Sequence, residues 1–406
     1  MNKAYLIRGK KLVTVSKLGT IYDGAMVIKN GKIVEVGNWI NLHSKYPGIE
    51  VIDCSDHVIT PSLGDCHTHL LEFAPTSIYP ITKETHFLAG RAILLHALSS
   101  GITALGEQIC GHPLCDLSID DYRDEVKDIP LDISFAATSI SIGFEELAHF
   151  TSVTGSTAIG QKDLSNSRLV KEMAQQSDYP GENIFINATP ANFKANEVPR
   201  AGEIIYAQSE LEKIVAIYHQ TGKQIGAHVA GEDAIKMTLD ADLDVLHHAH
   251  GITDEQMNRA KEQNVKIVAT PMGGTHLEPN SPENILNLVE KDIPVSLATD
   301  AYLPPYPNVS WLPFKDQGLL GPDMLMLISQ PSMQLLKENG FDENRILALL
   351  NPADTLGKGG QFGRLVEGMD ANFLVADRVP GLEITNVERI RKVYFRGRMV
   401  IDRENI

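Results

Sequence analysis

The stretch ITPSLGDCHTHL, Ile59 to Leu70, decides how this chain is read. An apolar run ends in two histidines, His67 and His69, one residue apart, and Asp65 stands two places before the first. On an extended strand, residues i and i+2 face the same side. Both imidazoles can therefore face one point, as two ligands of one metal ion must.

Working outward from that strand, short β-branched runs recur along the middle of the chain. Eight candidate strands are Val58–Cys66, Ile102–Glu107, Leu131–Thr138, Ile184–Ala188, Gln224–His228, Asp244–His248, Lys266–Thr270 and Pro294–Thr299. Amphipathic segments such as THFLAGRAILLHALSS and QSELEKIVAIYHQTG lie between them. The helix before the eighth strand is marked by Ser281 as cap, Pro282 in the first turn and Glu283 at the positive end. Strand–helix alternation predicts a parallel sheet, and eight units predict a closed (β/α)8 TIM barrel. Both ends of the chain read instead as short strands, with Asn30-Gly31 and Arg396-Gly397 at tight turns. They are expected to form a small accessory domain from residues 1–57 and 356–406, around a barrel of 58–355. The glycine-rich Gly357–Gly363 lacks the spacing and the Lys-Ser/Thr ending of a phosphate loop.

Composition narrows the function. The chain has 406 residues, 43% apolar and 22% charged, as in an ordinary globular protein. A net charge of −16 repels phosphate backbones and anionic lipid, which argues against nucleic-acid and membrane roles. No apolar run reaches the ~20 residues of a bilayer span, and the first residues show no secretory pattern; a cytoplasmic location is expected. Four cysteines, Cys54, Cys66, Cys110 and Cys115, make no disulfide framework and are read as reduced thiols.

In a barrel of this kind the chemistry gathers at the C-terminal strand ends. There stand His67 and His69 on strand 1, His228 on strand 5, His247 and His248 on strand 6, and Asp300 on strand 8. Imidazole and carboxylate donors converging on one mouth suit zinc, iron(II) or manganese.

The ordered set of motifs resembles the amidohydrolase superfamily over nearly the whole chain. It comprises ITPSLGDCHTHL, SSGITALGE, GKQIGAHVAGEDAI, DLDVLHHAHGITDEQ, IPVSLATDA and the closing NPADTLG…GRLVEGMDANFLVAD. The nearer likeness is to the branch with imidazolonepropionase, prolidase-like peptidases and small-ring deaminases. The resemblance implies a distorted TIM barrel with a β-sandwich built from both termini. It implies His67, His69 and His228 as metal ligands, and Asp300 as ligand and proton acceptor. His248 falls on the superfamily's strand-6 histidine, with His247 as local competitor. Pairing of copies into a homo-oligomer is a further expectation from the resemblance.

Binuclear members usually place a bridging lysine at the end of strand 4. Here that strand reads NIFINATPANFK, with Phe185 at the matching place, Asn187 two residues on and Lys194 far along the loop. The departure implies one divalent ion, zinc first, with iron or manganese as alternatives. Such an ion lowers the pKa of water toward ~7. The expected reaction is attack of that water on a C–N bond of a small cyclic amide, amidine or aminated ring. Asp300 takes the proton and His248 steadies the atom that gains charge.

Other residues near the mouth have open roles. Glu107 is a carboxylate that could support a ligand, touch substrate, bind a second metal or simply be satisfied by a neighbour. Glu232 reads more simply as a first-turn helix acid, with a proton shuttle as the alternative. His112, Tyr302, Tyr306 and Trp311 are candidates for the substrate pocket, and His250 and His276 also lie near the mouth. His86 and His96 are expected to be structural. Two alternatives stand beside the leading reading. One is a binuclear, prolidase-like dipeptidase or acyl-amino-acid hydrolase, with Lys194 or Arg200 receiving a carboxylate. The other is a non-catalytic scaffold, which the intact ligand set disfavours.

Overall fold

The computed structural model describes residues 4–72, 82–111, 116–143, 147–188, 201–302, 305–313 and 318–404. Strands from both ends of the chain join in one mixed sheet. From the N-terminal side come β1 (Tyr5–Val13), β2 (Thr20–Lys29), β3 (Lys32–Asn38) and β4 (Glu50–Pro61). The C-terminal side supplies β15 (Phe373–Ala376), β16 (Ile390–Phe395) and β17 (Arg398–Asp402). Their order is β17-β16-β15-β4-β1-β2-β3. Asn30 and Gly31 both take positive φ, 53° and 79°, and turn β2 into β3 with Lys29 opposite Lys32. Arg396 and Gly397 do the same between β16 and β17. The two ends meet edge to edge where β15 pairs antiparallel with β4, Phe373 opposite Pro61. Alternating residues serve opposite faces: Ile7, Met26 and Ile28 pack with Phe373 and Val375, while Leu6, Ala25 and Val27 pack on Leu42 of the helix Trp39–Lys45.

The expected first barrel strand, Val58–Cys66, is in fact two. Val58–Pro61 belongs to the terminal sheet, and a new strand, β5 (Leu63–Thr68), starts the central one. Ser62 is the crossing point: its N–H donates to Asn372 O, and the N–H of Leu63 donates to Gly101 O.

The central strands are parallel. One ladder holds β5, β6 (Ile102–Ile109) and β7 (Asp132–Ala137). After it comes an antiparallel hairpin of β8 (Ser139–Gly143) and β9 (Leu147–Thr151). The second ladder runs in chain order through β10 (Ile184–Phe185), β11 (Gly226–Ala230), β12 (Val245–His250), β13 (Lys266–Ala269) and β14 (Val295–Leu297). All eight expected runs thus carry parallel strand, in an α/β architecture. The ladder is not continuous around a barrel. Between its two parts, Ser139 N–H donates to Asn183 O at 3.1 Å on one side. On the other, Asp300 N–H donates to His67 O at 3.1 Å and His69 N–H to Ala301 O at 3.0 Å.

Helices cover the strands. Ser281 caps Pro282–Glu290 by accepting from Asn284 N–H, as its sequence predicts. Between the strands, mostly small residues fill the space: Cys66, Ala104, Ala136, Val245, Val268 and Ala298, with Tyr179 among them. Cys54, Cys66 and Cys110 are free and buried, and Cys115 lies outside the described residues. Among the described residues, no helix is long and apolar enough to cross a membrane.

Candidate metal centre

His67 and His69 stand at the end of β5, His228 lies in β11, His248 in β12, and Asp300 follows β14. All five are buried. They surround a residue that the sequence reading missed, Glu182, which lies just before β10. Glu182 Oε2 is 3.3 Å from His67 Nε2 and 3.5 Å from His69 Nε2. Its Oε1 is 2.8 Å from His228 Nδ1 and 2.7 Å from His248 Nε2. Asp300 Oδ1 closes the first group, 3.3 Å from His67 Nε2 and 3.6 Å from His69 Nε2. Two donor groups, His67 with His69 and His228 with His248, therefore share the Glu182 carboxylate, and Asp300 also lies near both His67 and His248.

Local sequence explains how Glu182 gets there. It follows Pro180-Gly181, whose backbone crosses close to Gly226 of β11. A Cβ at Gly226 would collide with the carbonyl oxygens of Pro180 and Gly181, and one at Gly181 with Gln108 and Ala136. Gln108 Oε1 accepts from Glu182 N–H at 3.0 Å, and Asn183 ties the segment to both ladders, taking Gly226 N–H and donating to Ala137 O. Phe185, the residue expected at the bridging position, lies flat on the His228 ring with centroids 4.3 Å apart. Asn187 is engaged with Ala230 N–H and Gly202 O. The sequence argument looked for a bridging lysine at the end of the strand; the carboxylate that faces both histidine pairs comes instead from before it.

Consecutive residues of a strand normally face opposite sides, yet His247 and His248 both turn toward the cluster. The extended run breaks there: φ is +68° at His248 and +49° at Ala249, and the β11–β12 register slips beside them. Asp300 also has positive φ, +55°. Such backbone costs of order 1–3 kcal/mol per residue and persists where surroundings over-determine it. Asp65 is part of those surroundings. Its carboxylate accepts from Thr299 N–H, Thr299 Oγ1 at 2.6 Å and His67 N–H, so it pins β5 to the residue before Asp300. Burial pushes its pKa up to about 6.

The charges sort themselves. Burial disfavours ionised Glu182, but the fields of His67 and His228 and the hydrogen bond from His228 hold it well below the usual carboxylate range. Asp300 is lowered too: burial opposes its charge, and His67, His248 and His69 outweigh burial. His67 is raised well above the usual imidazole value, because Glu182 and Asp300 outweigh its burial. His248 is pushed down to about 4, chiefly by burial.

The donors fit a divalent cation. Neither Asp300 oxygen has a hydrogen-bond partner, and neither does His67 Nε2 or His228 Nε2. Thr270 donates its hydroxyl proton to Gly273 O at 2.7 Å, so toward His248 Nδ1, also 2.7 Å away, it can only accept. A neutral His248 then turns a lone pair on Glu182 Oε1 across 2.7 Å. Two acceptors that close need a cation between them. Separations of 3.3–3.6 Å in the other group match the ~3.3 Å between ligands held tetrahedrally at about 2.0–2.1 Å from one zinc ion.

The remaining expected residues fall as follows. Glu107 accepts from Thr68 Oγ1 and Leu71 N–H, both at 2.7 Å, and so braces the backbone on both sides of His69. Burial raises it to about 7. Glu72 accepts from Cys110 and Gly111 N–H and is likewise raised to about 7 by burial. Glu232 is an exposed first-turn helix acid. Tyr302 is half-buried and packs on the main core; Trp311 and Tyr306 pack with Met272, Val309 and Ile328. His250 is buried on Thr270 and Thr275, and a Cβ at Gly202 would strike the His276 ring. His112, Lys194 and Arg200 lie outside the described residues. Gly274 presses on the centre, since a Cβ there would collide with Asp300 Oδ2 and the His248 ring. A groove of about 920 Å³ lies at the opposite strand ends, by Lys266 and Pro294, away from these donors.

Comparison with known proteins places this arrangement. The model of the amidohydrolase family matches residues 58–400. The chain belongs to the amidohydrolase family. That family is metal-dependent. This amidohydrolase is 39% identical over 74 residues to imidazolonepropionase of Pyrobaculum arsenaticum, a match that spans 16% of the chain and 19% of that relative. Its fold is shared with molinate hydrolase at a TM-score of 0.73 and 18% identity, covering 100% of this chain and 96% of that one. A Xaa-Pro dipeptidase with methionine bound in its active site shares the fold at a TM-score of 0.69 and 16% identity, covering 98% and 99%.

Proposed function

We propose that the chain is a two-metal amidohydrolase that hydrolyses an acyclic amide, of the dipeptide or N-acyl-amino-acid class. The observation that carries this is Glu182, whose two oxygens face two different histidine pairs. His67, His69 and Asp300 would hold one ion, His228 and His248 the other, and Glu182 both. Zinc is the first candidate, since four imidazoles and two carboxylates suit it. The earlier single-ion expectation rested on Phe185, which stacks on a ligand instead.

Divalent ions bound here would lower the pKa of water and polarise the scissile carbonyl. The chain's own residues do the rest. Asp300 carries two buried oxygens with no hydrogen-bond donor, so it can accept the proton released as the water's C–O bond forms. The same proton then passes from Asp300 to the leaving nitrogen as the C–N bond breaks. Positive φ at Asp300 and the Asp65–Thr299 bonds aim that carboxylate at the centre. Glu107 and Glu72 brace the chain around His69 and stay out of the proton path.

A second reading, hydrolysis or deamination of a small nitrogen ring, is favoured by the 74-residue likeness to an imidazolonepropionase. One experiment separates the two. Zinc-loaded protein is assayed on a panel of dipeptides and N-acyl amino acids for released amine, and on aminated rings for ammonia. Near two ions per chain with amine release supports the proposal. One ion per chain, with turnover confined to rings, would overturn it.

A further inference from the structure

His247 belongs to neither donor group, yet it is wholly buried between a ligand and a backbone carbonyl. Its Nε2 lies 3.0 Å from Pro180 O, and its Nδ1 lies 2.8 Å from Nδ1 of His67. A carbonyl oxygen only accepts, so the proton of a neutral His247 sits on Nε2. Its Nδ1 then offers a lone pair, and the group that meets it at 2.8 Å must be the Nδ1–H of His67. With Nδ1 so engaged, His67 turns Nε2 toward Glu182 Oε2 and Asp300 Oδ1, each 3.3 Å away.

We propose that His247 is a positioning residue: through the Pro180–His247–His67 relay it fixes the proton of His67 on Nδ1 and commits Nε2 to the metal. The inference rests on the metal-centre reading above. The relay also ties two ligands together. Pro180 is two residues before Glu182, so one imidazole sets both the tautomer of His67 on β5 and the place of the segment that carries the shared carboxylate. A ligating histidine takes its orientation and basicity from what its other nitrogen bonds. With the opposite tautomer of His67, two lone pairs would face each other at 2.8 Å and an N–H would occupy the metal's place.

The test compares His247→Gln with His247→Met. Gln can donate to Pro180 O through its amide nitrogen and accept from His67 through its oxygen; Met has similar length and does neither. Zinc content is measured after dialysis against a chelator of graded strength, and melting of the metal-free proteins checks the fold. The expected result is wild-type zinc retention in Gln. In Met, zinc at the His67 group should be held about 10–100-fold more weakly, a larger loss than at the His228 group, which His247 reaches only through the shared Glu182. Equal retention in Met and wild type would overturn the proposal, as would a folded Gln variant that loses zinc like Met. A second measurement needs neither metal nor variant folding. In metal-free wild-type protein with 15N-labelled histidine, a scalar coupling should link the two Nδ1 atoms, with His247 protonated at Nε2. Protonation of His247 at Nδ1 would overturn the relay. Wild-type protein holding fewer than two ions would instead count against the two-ion reading, leaving the nitrogen coupling to decide the relay.

Discussion

Replacing Glu182 by Gln tests the centre most directly. The carboxylate serves four imidazoles: two from Oε1 at 2.7 and 2.8 Å, and two from Oε2 at 3.3 and 3.5 Å. An amide keeps one oxygen and turns an NH2 group toward the other pair, where it can bind no cation. A unit charge pair at 3.3 Å is worth ~5 kcal/mol at an effective dielectric constant of about 20, before desolvation, which offsets much of it. Removing one partner of a buried ionic pair typically costs about 3–5 kcal/mol. The expected outcome is loss of at least one of two ions after gel filtration. Turnover should fall by more than the ~10–100-fold that follows loss of a ligand's outer partner, and the chelated protein should melt below wild type. Elemental analysis, steady-state kinetics and thermal melting report the three. A Glu182→Gln protein that keeps two ions at wild-type affinity would refute the bridge, because among the described residues Glu182 alone has carboxylate oxygens within 3.5 Å of all four imidazoles.

Three further perturbations address the groups around it. Asp300→Asn should lower turnover by about 10²–10⁴-fold with an unchanged circular dichroism spectrum; substantial remaining activity would remove Asp300 from proton transfer. Gly274→Ala should abolish activity while the melting temperature falls only modestly, since the added methyl meets Asp300 and His248 at a φ of +111°; wild-type kcat/KM would show that the loop yields. Glu107 is raised from 4.5 to about 7 when folded, so the folded state keeps a proton that the unfolded chain releases. Its contribution is full below pH 4.5 and is lost as pH rises through 7, a fall of roughly 3 kcal/mol at most. Glu107→Gln can keep both bonds, accepting from Leu71 and donating to Thr68, whose own proton turns to Gly106 O. Melts of the chelated proteins at pH 5 and 7.5 should show a smaller drop for the variant, and an equal drop would sink this assignment.

Much of the fold was legible because its signals are local. Asn30-Gly31 and Arg396-Gly397 make their turns from two residues each, and the Ser281 cap needs only the residues beside it. What local pattern could not show is where the chain changes sheet. Val58 to Cys66 reads as one apolar run, but Ser62 N–H goes to Asn372 O, three hundred residues on, and that bond sets the boundary. For the same reason the β-rich ends could be read as a common domain from sequence, while their joining edge to edge through β4 and β15 could not.

The site divides along the same line. His67 and His69 declare themselves because a strand's period of two is written in the sequence, and Asp300 because it closes an apolar run at a strand end. Glu182 obeys neither rule. It sits in Tyr-Pro-Gly-Glu-Asn, which reads as a turn before a strand, where a carboxylate is ordinarily solvated. Its burial depends on Gly181 and Gly226 passing without side chains, one from each of two segments that sequence alone does not pair. Such a crossing would be an odd use of two glycines if it only joined strands. Its consequence is a carboxylate at the one point that all four histidines reach, held down in pKa by the very groups it serves. On the two-ion proposal, it is backbone packing around residues 180 to 183, and not the histidine motifs that announce the site, that sets the number of metal ions.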